Sequence, residues 1–405
     1  MNGGARLPDE GGRAPSLAEL VGTFLKISLT AFGGPNAHLA LMLDEVVERK
    51  RWLTRERFLE LVAVTNLLPG PNSSEVVIHI GYTQRGWIGA MAAGLTFLVP
   101  TWIMVTVLSA LYFEFGTLPQ VATLFWGLQP VIVAIVLAAG WKIGKAGVTT
   151  PIQAVLAAAG AVLSLLSGQA VIVAMVAGGA VTWWLGRKVG DRDDRAGGVG
   201  PASERTESGG GGTRLSSWAL LPPMAILGGS MGTLAGVFWT HLWIGSVLFG
   251  GGYVLVALLE PYAVGEFGWL TAGQFLDGVA LTQAVPGPIS TLSAFVGYAA
   301  GGVPGALLGT VGIYLPAFVS VLWVAPRMER LRRVEAVRRA LKGVVAVVAG
   351  AVVGVGVSLV TAGVRDVPTG VLALVALWLL TARKIPALWI VALGAGAGVV
   401  RMVVA

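Results

Sequence analysis

The feature that most constrains this chain is a duplication. Trp52-Leu53-Thr54 through Ser73 aligns with Trp269-Leu270-Thr271 through Ser290 at a constant offset of 217, with 12 of 22 positions identical. Upstream, Phe32-Gly33-Gly34 matches Phe249-Gly250-Gly251 at the same offset. Downstream, after a one-residue gap, Gly81-Tyr82 matches Gly297-Tyr298 and Pro100 matches Pro316. The chain therefore reads as two copies of one unit.

The medium follows from the residues that fill each copy. Of 405 residues, 55% are hydrophobic and 12% charged, against about 25% charged in soluble domains. At about 20 residues per crossing there is room for on the order of ten membrane helices, so a soluble enzyme is excluded. The chain has no cysteine, which removes thiolate chemistry and thiolate metal sites. Its three histidines fall in no metal-binding pattern. We therefore expect no metal site, no cofactor and no catalytic residues. The net charge of +7 sits in short clusters between apolar runs, which read as topology signals rather than as a nucleic-acid face.

Four segments emerge: a polar tail over 1–16, a first transmembrane repeat over 17–187, a flexible cytoplasmic linker over 188–216, rich in Gly and Ser, and a second repeat over 217–405. Lys and Arg mark the cytoplasmic loops. Arg49, Lys50, Arg51, Arg55 and Arg57 crowd one loop, whereas its counterpart, Pro261 to Gln274, has neither residue. Conversely, Glu114 is the sole charge between Tyr112 and Gln120, while the matching stretch holds Arg327, Arg330, Arg332 and Arg333. The repeats are thus expected to be inverted.

The same rule requires Phe58 to Gln84 to return to its starting side. Pro69-Gly70-Pro71 explains how, because proline removes a backbone donor and disfavours helix just before it. Phe58–Leu68 and Pro71–Gln84 are expected to form a re-entrant hairpin, with Gln274–Val285 and Pro288–Ala299 as its inverted partner. Crossings are expected at Leu17–Leu43, Gly86–Phe113, Val121–Trp141, Ile152–Leu166 and Val171–Leu185, which puts both termini outside. The fold class is an all-α polytopic membrane protein with two inverted repeats, each of about five spans plus one hairpin.

Inverted repeats with interrupted helices are transporter architecture, with the substrate site where the breaks face each other. Four breaks are available: Gly33, Gly34 and Asn36; Gly250 and Gly251; and the tips at Gly70 and Gly287. Each Pro-Gly-Pro starts a helix whose first N–H groups are unpaired and carry roughly half a positive charge. Asn72, Ser73 and Ser74, with Ser290 and Thr291, would add donors for an oxyanion. A plain kink in a packed helix is the alternative.

Lys26 lies inside the first crossing, at a cost of about 2.5–3.5 kcal/mol, and is read as a counter-charge to the anion, a snorkelling side chain or a partner of a carboxylate. Glu60 and its equivalent Asp277, with Glu75, are candidates to carry a coupling proton. Arg85 is a candidate attractor or topology anchor. Asn66 and Gln283 face the tips or join helices. His38 and His79 are read chiefly as packing residues.

Taken together, the duplicated Phe-Gly-Gly, Trp-Leu-Thr with Phe-Leu-(Glu/Asp), Pro-Gly-Pro and Gly-Tyr resemble the two-domain members of the chromate ion transporter family, over essentially the whole chain outside the tail and linker. That resemblance implies chromate as substrate, with sulfate as an analogue, export across a bacterial inner membrane and chromate resistance. Membrane lipids are the expected surroundings, no nucleic acid is involved, and the oligomeric state, a homodimer included, stays open. A sulfate transporter or an anion channel is the alternative. The repeats depart from symmetry at Asn36 against Tyr253 and Asn72 against Ile289.

Overall fold

The computed structural model describes residues 15–32, 34–196, 232–249, 251–324 and 335–404, and among these every regular element is helical. The first half runs α1 (Leu17–Thr30), α2 (Pro35–Met42), α3 (Arg55–Thr65), α4 (Asn72–Phe115), α5 (Pro119–Gly147), α6 (Pro151–Ser164) and α7 (Gly168–Ala196). The second runs α8 (Thr233–Val247), α9 (Gly252–Glu260), α10 (Ala272–Ala284), α11 (Leu292–Val319), α12 (Glu335–Ser358), α13 (Val360–Gly363), α14 (Val367–Thr381) and α15 (Ala387–Val404). Leu43–Arg49 and Pro261–Glu266 are matching π-helical turns after α2 and α9.

Both copies follow the same punctuation. Thr54 and Thr271 cap α3 and α10 by accepting from the N–H three residues on. Positive φ recurs in register, at Gly34 and Gly251, Gly70 and Gly287, Gly86 and Gly302, and Arg51 and Gly268. Among the described residues, six helices, three per half, are long and apolar enough to cross a membrane. From Trp87 the exposed residues Met91, Leu95, Val99, Ile103 and Val107 recur every fourth position. Val303, Leu307, Val311, Leu315, Val319 and Trp323 do the same in the second half. Such an unbroken apolar stripe is lipid-facing, and the chain is a multi-pass membrane protein. The shorter α6, with 14 residues, and α14, with 15, reach only about 21–23 Å, less than a hydrocarbon core of about 30 Å.

The repeats are inverted. Equivalent helices α5 and α12 run antiparallel, with Gly140 against Val353, Gly144 against Ala349 and Gly147 against Val345. α4 and α11 do likewise, bringing Trp87 to Trp323 at 6.2 Å and Phe113 to Tyr298 at 5.8 Å. The halves also exchange partners. α5 packs on α14 and α15, and α12 packs on α6 and α7.

The expected hairpin at Pro69-Gly70-Pro71 is present, and α4 turns sharply at Arg85 and Gly86. Eight residues along a straight helix span about 12 Å, yet a Cβ on Gly81 would overlap the Gly89 carbonyl, and one on Gly297 the Gly305 carbonyl. The arm 72–84 and the crossing 87–115 therefore double back on each other. Arms 292–300 and 303–319 of α11 repeat this at Gly301 and Gly302.

The first helix departs from expectation. A straight helix over 17–49 would be about 48 Å long, but Lys26 forms an ion pair with Glu45, which folds α2 back along α1. Arg85 Nε donates to the Pro15 carbonyl at 2.7 Å and Gln84 Nε2 to the Trp52 carbonyl at 3.2 Å. The start of α1, the end of the π turn and the end of the arm 72–84 thus share one side, the basic one. In the second half Gly236 meets the Trp269 ring and Gly301 meets Leu234. Leu17–Leu43 is therefore a second re-entrant hairpin rather than a crossing.

This also corrects the outside placement of the N-terminal end, because Pro15 lies on the basic side, the one the Lys and Arg rule reads as cytoplasmic. The C-terminal end lies opposite, where Arg401 reaches Asp366 at 3.4 Å. That carboxyl, at the start of α14, is held to about 2 by the Thr369 hydroxyl and N–H, with Trp126 and Arg401 adding to them. It should therefore keep capping α14 at every pH above about 3, and Asp366→Asn should remove part of the acid-induced fall in thermal midpoint that the parent shows between pH 4 and 2. α7 continues to Ala196, so the first part of the linker expected from 188 is helical. The remainder of 188–216 lies outside the described residues.

Candidate functional site

Each re-entrant hairpin turns at a break, and a new helix starts from every break. Gly34 precedes α2, Pro71 precedes α4, Gly251 precedes α9, and Pro288 precedes the 3-10 turn Ile289–Thr291 that leads into α11. Depth follows from counting. Ser28, near the end of α1, donates to the carbonyl of Phe97 at 2.8 Å, and Phe97 lies ten residues past Trp87, about 15 Å into a core of about 30 Å.

The breaks hold one another across the halves. The Gly70 N–H donates to the Leu248 carbonyl at 2.7 Å, and the Gly287 N–H donates to the Ala31 carbonyl at 3.0 Å. Ala31 and Leu248 are equivalent, as are the two glycines, so this is one contact made twice by exchange. The Phe-Gly-Gly breaks also approach each other. A Cβ on Gly251 would lie 4.0 Å from Pro35 Cγ, and one on Gly34 would lie 3.6 Å from Ile289 Cδ1. Four helix N-termini therefore converge near mid-depth, where sequence alone had offered two.

The hydroxyls at these termini are buried and mostly engaged. Ser73 Oγ lies 3.2 Å from His38 Nδ1, whose other ring nitrogen is 3.2 Å from the Ala31 carbonyl. Ser290 Oγ lies 2.6 Å from the Tyr314 hydroxyl, and Thr291 Oγ1 donates to the Pro288 carbonyl at 2.8 Å. Tyr314 also faces Ser74, whose Oγ makes no hydrogen bond within the protein. Asn72 Nδ2 donates to Asn66 Oδ1 at 2.5 Å, and Thr65 Oγ1 donates to Asn72 Oδ1 at 3.1 Å. Asn66 is exposed and Asn72 partly so, which leaves this edge of the first tip accessible. In the second half Gln283 Nε2 donates to the Tyr253 hydroxyl at 2.8 Å. Gly33, Gly250 and the Asn36 side chain lie outside the described residues.

Other sequence-selected residues lie away from the breaks. Lys26 is paired with Glu45, which Arg49 also approaches at 3.5 Å, so of its three readings the carboxylate partner is the one present. Glu60 pairs with Arg57 at 2.9 Å on an exposed face, and Arg85 holds Pro15. Asp277 is buried between halves: its carboxylate accepts from the Tyr112 hydroxyl at 2.7 Å and from Gln129 Nε2 at 2.8 Å, and Arg365 donates to Gln129 Oε1 at 2.9 Å. Glu75 is fully buried beside Gly70.

Sequence reasoning undervalued His38 and missed Tyr314 and Thr101. Their counterparts are Leu255, Leu98 and Ala317, so a search for duplicated chemistry passes over them. A polar residue facing an apolar equivalent beside a break was the available signal.

Comparison with known proteins agrees with this architecture. A family described as "Chromate transporter" matches residues 18–183 and 235–399, once in each half. The chain is 31% identical over 367 residues to the chromate transport protein of Pseudomonas aeruginosa, covering 87% of this chain and 83% of that one. It is 29% identical over 381 residues to the chromate transport protein of Cupriavidus metallidurans, covering 91% and 89%. An uncharacterized transporter of Bacillus subtilis is 33% identical over 125 residues, 31% of this chain and 70% of its own length. No solved structure matches.

Proposed function

The chain belongs to the chromate transporter family, and from that premise we propose that it exports chromate from the cytoplasm by alternating access around the four converging breaks. The carrying observation is the exchanged pair of Gly70 and Gly287 hydrogen bonds at mid-depth. Around them the leading N–H groups of four helix starts have no carbonyl one turn back to bond, and the helix dipoles supply the positive potential a tetrahedral oxyanion requires. The hydroxyls of Ser73, Ser74, Ser290 and Thr291 and the amides of Asn66, Asn72 and Gln283 would replace the water shell of the anion, with backbone from Gly34, Gly70, Gly251 and Gly287. The serines now bonded to His38 and Tyr314 exchange those partners for substrate.

Energetics favour the outward direction. A dianion leaving a negative-inside cell gains about 2.3 kcal/mol per charge per 100 mV, roughly 4.6 kcal/mol in all. The inverted repeat supplies the second state, because rocking about a two-fold axis in the membrane plane exchanges an inward opening for an outward one. In everted vesicles carrying an imposed potential, chromate should accumulate, saturate and be competed by sulfate. Flux that never saturates and shows no exchange would mean a channel instead.

Ser73→Ala and Ser290→Ala should each weaken sulfate binding about 10- to 100-fold, the worth of a hydrogen bond to a charged group, and lower the thermal midpoint modestly, because His38 or Tyr314 loses its buried partner. Full transport by the double variant would move the site elsewhere.

A further inference from the structure

Glu75 is the one acidic residue beside a break that has no ion-pair partner among the described residues. It sits in the first turn of α4 and is fully buried. Its Oε1 accepts from Ser320 Oγ at 3.3 Å, and its Oε2 has no partner in the protein. The carboxyl lies against the first tip, since a Cβ on Gly70 would be 2.6 Å from Oε1 and 3.0 Å from Cδ. The aligned position in the second half is Leu292, so the composite site contains this group once.

Its surroundings supply no compensating charge. Ser320, just past the end of α11, donates to the carboxyl, Tyr314 on α11 faces the neighbouring Ser74, and His38 comes from α2 at Ser73. His79 lies one turn on along the same helix. From α3, Arg57 is paired with Glu60, and beyond the arm Arg85 is held by Pro15. The electropositive tip can therefore balance one negative charge, whereas a carboxylate and a dianion together would place three beside a fully buried carboxyl, at a large desolvation cost.

We propose that Glu75 is a proton acceptor linked to substrate: an oxyanion occupies the site as one proton moves from bulk water to a Glu75 carboxylate oxygen. This rests on the break region being the anion site. In the empty protein the carboxylate lies in the first turn of α4, where the positive end of the helix dipole favours its charge. When the anion arrives, the protonated carboxyl becomes an O–H donor to it, and no other bond is made or broken. Each cycle then moves one net negative charge rather than two.

Sulfate, fully ionised near neutral pH, is the probe, because chromate could bring its own proton. Purified full-length protein in weakly buffered detergent solution is titrated with sulfate while a dye reports proton uptake. About one proton per bound sulfate is expected, with affinity falling about tenfold per pH unit above the midpoint, as one linked proton requires. Glu75→Gln should bind sulfate with no uptake and no pH dependence. His38→Gln should keep both. Ser320→Ala, which removes the carboxyl's hydrogen-bond donor, should shift the pH midpoint and serves where Glu75→Gln does not fold. Sulfate binding by the parent without uptake, uptake that persists in Glu75→Gln, or a midpoint unmoved in Ser320→Ala overturns the assignment. Failure of the parent to bind sulfate at all overturns the site reading beneath it.

Discussion

Gly287→Ala should abolish chromate accumulation in everted vesicles and lower the yield of folded protein, and adding Thr101→Gly should restore folding in part. The backbone at Gly287 has φ +119, a conformation costing other residues about 1–3 kcal/mol. An added Cβ would also overlap the Thr101 side chain, whose Oγ1 donates to the Pro286 carbonyl at 3.0 Å. Relief of that overlap cannot come cheaply, because moving the tip breaks the Gly287 bond to Ala31. Thr101→Gly clears the space and leaves the backbone strain. The equivalent change, Gly70→Ala, meets Ala317 Cβ at 3.0 Å and the Glu75 carboxyl, so it should impair transport more than folding. Unimpaired transport by Gly287→Ala would show that the exchanged contact does not matter.

The second large effect is expected at Asp277. Truncation to alanine leaves the partly buried Tyr112 hydroxyl and the buried Gln129 amide without their acceptor, and an orphaned buried group costs about 1–3 kcal/mol. Because these groups belong to α4 and α5 while Asp277 belongs to α10, the loss falls on the seam between the halves. Asp277→Ala should lower unfolding stability by about 2–5 kcal/mol in detergent, and Asp277→Asn, which keeps the shape and one acceptor, by less. Glu60→Ala, at the equivalent position, removes only a half-exposed pair worth about 0–1 kcal/mol. Equal losses at the two positions would contradict this account of the seam.

Much of this arrangement was legible in the residues, for local reasons. Pro69-Gly70-Pro71 breaks the helix by backbone chemistry that needs no tertiary context, and the Lys and Arg clusters placed the return near Arg85 and gave the inversion that antiparallel α5 and α12 display. The reversal at Phe32-Gly33-Gly34 was not legible. Apolar runs on both sides read equally well as one crossing, and the deciding contact joins Lys26 to Glu45, 19 positions apart. Ser73 and Ser290 announced themselves as first-turn residues after proline. Their partners, His38 and Tyr314, lie on other elements and break the repeat, so only the folded chain brings them together.

The two copies have kept the positive-φ glycines at the breaks and at the Gly86 and Gly302 turns, yet they have diverged at Glu75 and Leu292, His38 and Leu255, and Leu98 and Tyr314. On the reading proposed above, in which both halves build one chamber, the division of labour follows. The backbone reversals that shape each half are held in duplicate, whereas a proton carrier or a lining side chain would be needed once and would serve from whichever half presents it.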